Sequence, residues 1–132
     1  MEEYRHEAKI AIVRLLEDIL NADGIVQKSE ENYLTDVATA LGLDCECRWA
    51  AKTVSTEQAM ETVGGLTARQ KSEIAKMMGR MIVADNDINY NEVMLYNKIC
   101  DTCGIENEFQ PDDYPEATLS GFEVREEAEP EF

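Results

Sequence analysis

The chain predicts an all-α fold, a compact bundle of about six helices built on two duplicated αα-hairpins. Three observations carry this. Apolar residues recur at the helical period in four separate stretches. No segment shows the alternation of a half-buried strand. Residues 19–43, ILNADGIVQKSEENYLTDVATALGL, align without gaps to residues 81–105, MIVADNDINYNEVMLYNKICDTCGI. Each copy reads as the end of one helix, a polar turn, and a second helix closed by glycine.

The elements follow in order. Ala8, Ala11, Ile12, Leu15, Leu16, Ile19 and Leu20 form the first apolar stripe, and Leu34, Val37, Ala38 and Leu41 the second. Ser29 precedes Glu30 and Glu31, which predicts a helix start there, with negative charge where the helix dipole favours it. Gly42 suits a left-handed residue after that helix. Residues 45–53 and 56–63 read as two short helices divided near Val54-Ser55, with Trp49 expected as a core plug. Thr67-Ala-Arg-Gln70 has capping-box spacing after Gly64-Gly65, so a long helix is expected from about residue 68. Its stripe is Ile74, Met77, Met78, Met81 and Ile82. The fourth stripe, Tyr96, Ile99, Cys100 and Cys103, ends at Gly104.

After Gly104 the composition changes. Residues 1–105 read as the helical domain and residues 106–132 as an acidic C-terminal tail. All three prolines fall in that tail, which holds ten acidic side chains against Arg125 alone, a net of −9. The formal charge of the whole chain is −16, so −7 remains for residues 1–105. Acidic tails are usually solvated. Phe109, Tyr114, Leu119, Phe122 and Val124 also leave room for part of this one to dock along a helix groove.

The charge bounds the partners. An acidic surface repels phosphate backbones, which argues against nucleic acid and favours cations or a basic protein surface. The N-terminal MEEYRHEAKIAIVRLLEDIL carries charges throughout and has no signal-peptide core. No apolar run is long enough to span a bilayer, so a cytoplasmic location without membrane insertion is expected.

Cysteine pairs at Cys45/Cys47 and Cys100/Cys103 offer four thiols. A Cys-x-Cys beside a Cys-x-x-Cys lacks the turn residues of a zinc knuckle. Cys100 and Cys103 also fall on core positions, where a free cysteine acts as a small hydrophobe. His6 is the only histidine and has no evident nucleophile beside it. No phosphate loop, nucleophile elbow or His-Glu-x-x-His motif is present, so no enzyme is expected.

Within the repeat, Ala22 meets Ala84, Asp23 meets Asp85, Glu30 meets Glu92 and Gly42 meets Gly104. In Ala22-Asp23-Gly24-Ile25 with Glu30, and Ala84-Asp85-Asn86-Asp87-Ile88 with Glu92, the chain resembles the tellurite-resistance TerB family. It is similar there to a helical domain in some membrane-linked DnaJ co-chaperones as well. The resemblance covers residues 4–105 and implies an all-helical fold with the Ala-Asp-Gly turn used twice. The second copy departs from it, with Asn86 where the turn glycine is expected; asparagine tolerates the left-handed region better than most residues.

As an EF-hand the second copy places Asp85, Asp87 and Asn89 on the first three oxygen positions. Tyr90 then stands where the loop needs glycine, and Tyr96 where it needs a bidentate glutamate. The first copy has Ile25, Gln27 and Leu34 at ligand positions. Neither is an EF-hand.

Two readings of the repeated acids remain. In one, Asp23 and Asp85 accept hydrogen bonds from backbone N–H groups in their own turns, and Glu30 and Glu92 sit at helix N-termini. In the other, the two turns meet, and Asp23, Glu30, Asp85, Asp87 and Glu92 converge as a site for a hard divalent cation, Ca²⁺ or Mg²⁺. The resemblance implies the second, since the acidic residues of TerB proteins are proposed to form a divalent-metal surface. The expected function is that of a small TerB-like accessory protein in tellurite resistance or stress response, acting through that cation face. The alternative is a metal-independent module for a protein partner, basic or membrane-associated.

Overall fold

The computed structural model describes residues 3–22, 24, 27–43, 49–107 and 109–120. They form an all-α bundle with one small two-stranded sheet. Helices α1 (His6–Leu20), α2 (Lys28–Ala40), α3 (Thr56–Gly64), α4 (Ala68–Val83) and α5 (Tyr90–Cys103) carry the core, and residues 49–51 are helical as well. Strand β1 (Asp87–Asn89) runs straight into α5. Strand β2 (Thr118–Ser120) lies parallel to it, with Asp87 opposite Thr118 and Asn89 opposite Ser120.

α1 is the central helix, packed against α2, α3, α4 and α5. Its predicted stripe is buried, and so are Val13 and Glu17 beyond it. Surrounded on several sides, the helix buries more than one face, so a polar position that reads as surface goes inside. Burying each large apolar side chain stabilises the fold by roughly 1.5–3 kcal/mol.

Local signals set most helix ends. Thr67 caps α4 as its spacing predicts: the Gln70 N–H donates to Thr67 Oγ1 at 3.1 Å, and the Thr67 N–H to Gln70 Oε1 at 3.0 Å. Ser55 and Gln58 repeat the motif at the start of α3, with bonds of 3.1 Å in each direction. α2 begins earlier than expected. Its cap is Gln27 rather than Ser29, and the Glu30 side chain reaches back so that its Oε1 accepts from the Gln27 N–H at 3.4 Å. The glutamate, three residues on from the cap, sets the start and leaves Ser29 inside the first turn.

Both copies of the repeat end in the same way. Gly42 and Gly104 take left-handed φ angles of 77° and 70°. The next residue then donates back into the helix, Leu43 N–H to Ala38 O and Ile105 N–H to Cys100 O, each at 2.9 Å.

One expectation fails. Trp49 is 69% exposed and lies near Lys52, whose Nζ sits 5.8 Å from the ring centroid, so it is no core plug. The all-α reading holds, and the two short strands β1 and β2 carry no alternation that the sequence could show. Three-residue strands are too short to show alternation, and their pairing comes from residues far apart in sequence.

The segment after Gly104 returns to the bundle. Phe109 is buried, edge-on to Tyr96 with ring centroids 5.7 Å apart and stacked on Tyr114 at 5.5 Å. Gly79 on α4 makes room for this, because a Cβ there would stand 3.3 Å from Phe109 Cδ2.

Candidate functional site

The two polar turns share a left-handed corner at matching positions. Gly24 has φ 78° and its counterpart Asn86 has φ 61°. The Gly24 N–H donates to Asn21 O at 3.1 Å, and the Asn86 N–H to the matching Val83 O at 2.9 Å. Asparagine therefore keeps the left-handed corner that glycine makes in the first copy.

Asn86 also does what glycine would not. Its Nδ2 donates to Glu116 O at 3.4 Å, and its own carbonyl accepts from the Thr118 N–H at 2.9 Å. The residues that follow continue the attachment. Ser120 Oγ donates to Asp87 Oδ2 at 2.9 Å, and Asn89 Nδ2 donates to Ser120 Oγ at 3.2 Å. The oxygen-rich loop of the second copy is thus a dock for residues 116–120. Ser120, which sequence reasoning missed, is its far partner, and only its place in an acidic tail with scattered apolar residues hinted at that.

The sequence-predicted acids have these positions. Asp85 Oδ1 accepts from the Asp87 N–H at 3.1 Å, closing its own turn. Asp87 Oδ1 is buried with no hydrogen-bond donor among the described residues. Glu30 and Glu92 each lie in the first turn of their helices, 1% exposed. Asn89 caps α5 by accepting from the Asn91 and Glu92 N–H groups at 2.8 and 3.4 Å. Asp23 lies outside the described residues, so its distance from Asp85 is not described. Among the described residues, no three of His, Cys, Asp or Glu stand close enough together to hold a metal ion.

The thiols split likewise. Cys45 and Cys47 lie outside the described residues. Cys100 and Cys103 are free and buried, and Cys103 Sγ donates to Met60 O at 3.3 Å. Burial pushes the Cys100 thiol up to about 11 and raises Cys103 as well. Their burial makes both thiols part of the core, as their place on the apolar stripe predicts. His6 is exposed near the start of α1.

Charge is segregated over the helices. α4 carries Arg69, Lys71, Lys76 and Arg80 against Glu73 alone, a third of the twelve basic residues of the chain. α3 carries Glu57 and Glu61, both exposed, and no basic residue. It packs on α5, whose Asp101 is exposed, as are Asp112, Asp113 and Glu116 after it. Between α2 and α4 lies an open groove of about 880 Å³, with Val37 and Met77 among its apolar lining and Arg69, Lys76 and Arg80 on one wall. Burial raises the Tyr33 hydroxyl there above its ordinary value, with the Arg80 guanidinium beside it pulling the other way.

Among the described residues no helix is long and apolar enough to cross a membrane. No family model matches the chain, and no curated protein matches it. The chain is similar in fold to a crystal structure of a protein of unknown function, PG1108 from Porphyromonas gingivalis W83. The two share 21% identity over 80% of this chain and 89% of that one, with a TM-score of 0.69. At that identity the likeness shows the fold alone.

Proposed function

We propose that the chain is a small, non-catalytic TerB-like accessory protein of a tellurite-resistance or stress-response system, presenting an acidic face to a basic protein partner. The observation that carries this reading is the segregation of charge. Glu57 and Glu61 stand exposed one helical turn apart on a helix with no cation, which packs on α5. Unpaired charge of one sign steers an oppositely charged surface toward it and rejects others. The acids of the repeat support the reading from the other side, since Asp85 and Glu30 accept bonds that shape their own turns.

The test is affinity capture with the full chain, comparing wild type with Glu57→Lys/Glu61→Lys, each with and without chelator. Charge reversal is expected to deplete the captured partners, and chelator to leave them in place. Identical capture by both proteins would remove the acidic face from the function.

A second reading keeps the cation. Glu30 and Glu92 are buried at matching positions, and a buried carboxylate is costly unless neutralised. Hard oxygen donors of this kind suit Ca²⁺ or Mg²⁺. Calorimetric titration of both ions into wild type and Asp23→Asn/Asp85→Asn decides it: equal heats, or none in either, end the cation reading.

A further inference from the structure

We propose that the cavity between α4 and the segment returning after Gly104 is a binding site for a small aromatic carboxylate, a single ring bearing one anionic group. Its walls come from three parts of the chain that meet only in the fold. On α4, Ala75 and Gly79 stand one helical turn apart, both buried, and neither has a side chain long enough to fill the space above it. The rings of Tyr96, Phe109 and Tyr114 close the other sides, leaving about 210 Å³.

The rings and the size select the body of the ligand. Phe109 is edge-on to Tyr96 and stacked on Tyr114, so the walls offer both ring faces and ring edges. A further flat ring meets either at centroid separations of ~4.5–7 Å. Tyr114 is half-exposed, which places its ring at the mouth. The volume is roughly seven times the ~30 Å³ that one water takes up in the liquid. It falls below the ~300–1,000 Å³ of sites for drug-sized ligands, so it admits one substituted ring and not a nucleotide.

The charge selects the head group. Lys76 and Arg80, again one turn apart and both exposed, lie at the edge of the cavity, and no acid among the described residues lines it. Neither cation forms an ion pair among the described residues. Arg80 meets the Tyr33 hydroxyl in the neighbouring groove, but that partner is neutral. The guanidinium therefore keeps its charge and the rest of its five donors. Asp112 and Asp113, next to Tyr114 in sequence, are exposed and are not part of the lining.

Two unneutralised cations repel the cationic ligands that aromatic boxes otherwise hold. They suit a carboxylate, which accepts a charge-assisted hydrogen bond from each while its ring lies over Ala75 and Gly79. The net charge of −16 is spread over the whole chain, and its distant part is screened beyond ~8 Å at physiological salt. Lys76 and Arg80 stand at the mouth itself.

The test is NMR titration of the full isotopically labelled chain with benzoate, to about 10 mM, a range in which ligands of this size fill a site. Saturation transfer to the benzoate ring protons is expected, with saturable shifts confined to the Gly79 and Arg80 amides and the Tyr114 ring. Benzamide, the neutral isostere, should bind roughly tenfold more weakly. Acetate and inorganic phosphate carry charge without a ring and should leave the Tyr114 ring unshifted. Lys76→Gln/Arg80→Gln should bring benzoate down to the level of benzamide, and Tyr114→Ala should weaken both ring compounds together. All three positions are exposed. The Ile88 and Ile99 core resonances report that each variant stays folded, and the Thr118 amide that the returning segment stays docked. Benzoate shifts that do not saturate, or that persist unchanged in Lys76→Gln/Arg80→Gln, overturn the proposal. So does an equal Tyr114 shift with phosphate, since the cavity then takes no ring. Glu57 and Glu61 play no part in this site, so it stands or falls apart from the acidic-face reading.

Discussion

Ser120 Oγ donates to Asp87 Oδ2 at 2.9 Å, across a sequence separation of 33 residues. That bond turns one carboxylate of an apparent cation loop into the anchor of the chain's last described strand. Replacing Ser120 with alanine should free β2 locally and leave the bundle intact. A hydrogen bond to a carboxylate contributes about 1.5–3 kcal/mol when buried and less at a half-exposed site such as this. We expect the Thr118 amide to exchange roughly five- to tenfold faster, about 1 kcal/mol, with the Ile105 amide unchanged. Hydrogen exchange read by NMR checks this; an unmoved Thr118 amide would show that the anchor contributes nothing.

The left-handed corners should cost what their side chains demand. Gly24→Ala meets nothing within 4 Å, so its penalty is purely conformational, about 1 kcal/mol. Asn86→Gly keeps the corner but loses the amide bond to Glu116 at 3.4 Å, so it should loosen residues 116–120 rather than the repeat. Urea unfolding paired with exchange at Ala117 and Thr118 separates the two effects. If Asn86→Gly left that exchange unaltered, the side-chain bond would be incidental.

Phe109 depends on the missing side chain at position 79. Gly79→Leu should overfill the gap beside Phe109 Cδ2 and cost about 1–3 kcal/mol, despite a better helix propensity for leucine. Phe109→Ala should cost about 3 kcal/mol and alter the near-ultraviolet dichroism of Tyr96 and Tyr114. Wild-type spectra in both variants would mean that the aromatic stack is not ordered in solution.

Alkaline pH should weaken the fold through Cys100. Its thiol is raised from 9.0 to about 11 by burial, so between those values the unfolded chain loses a proton that the folded chain keeps. The stabilisation is full below pH 9 and is lost as pH climbs through 11. Cys100→Ala should flatten this alkaline loss of stability in denaturant titrations. Thiol alkylation at pH 8 followed by mass spectrometry should find Cys100 and Cys103 protected until the protein unfolds; fast labelling in the native state would contradict their burial.

How much was legible follows from the range of each interaction. The capping box at Thr67–Gln70, the glycine ends at Gly42 and Gly104, and the tolerance of Asn86 for a corner all rest on bonds within five residues. Such bonds leave their mark in adjacent residue types. The start of α2 was misplaced because two capping patterns overlap, and Glu30 made Gln27 the cap. Trp49 was misjudged because hydrophobicity says what a residue prefers, not how many neighbours the fold supplies. With helices on several sides of α1, Glu17 is buried, while Trp49 stays largely exposed beside Lys52.

The sequence by itself determined the repeated unit: helix, left-handed corner, helix, glycine stop. Local hydrogen bonding and the helical period specify each part of it. Tertiary structure alone decided what the second corner holds. Asp85, Asp87 and Asn89 read equally well as ligands or as turn residues, because oxygen donors look alike until their partners are in place. Pairing Asp87 with Ser120 needed the chain to return to the bundle, which the burial of Phe109 beside Gly79 brings about.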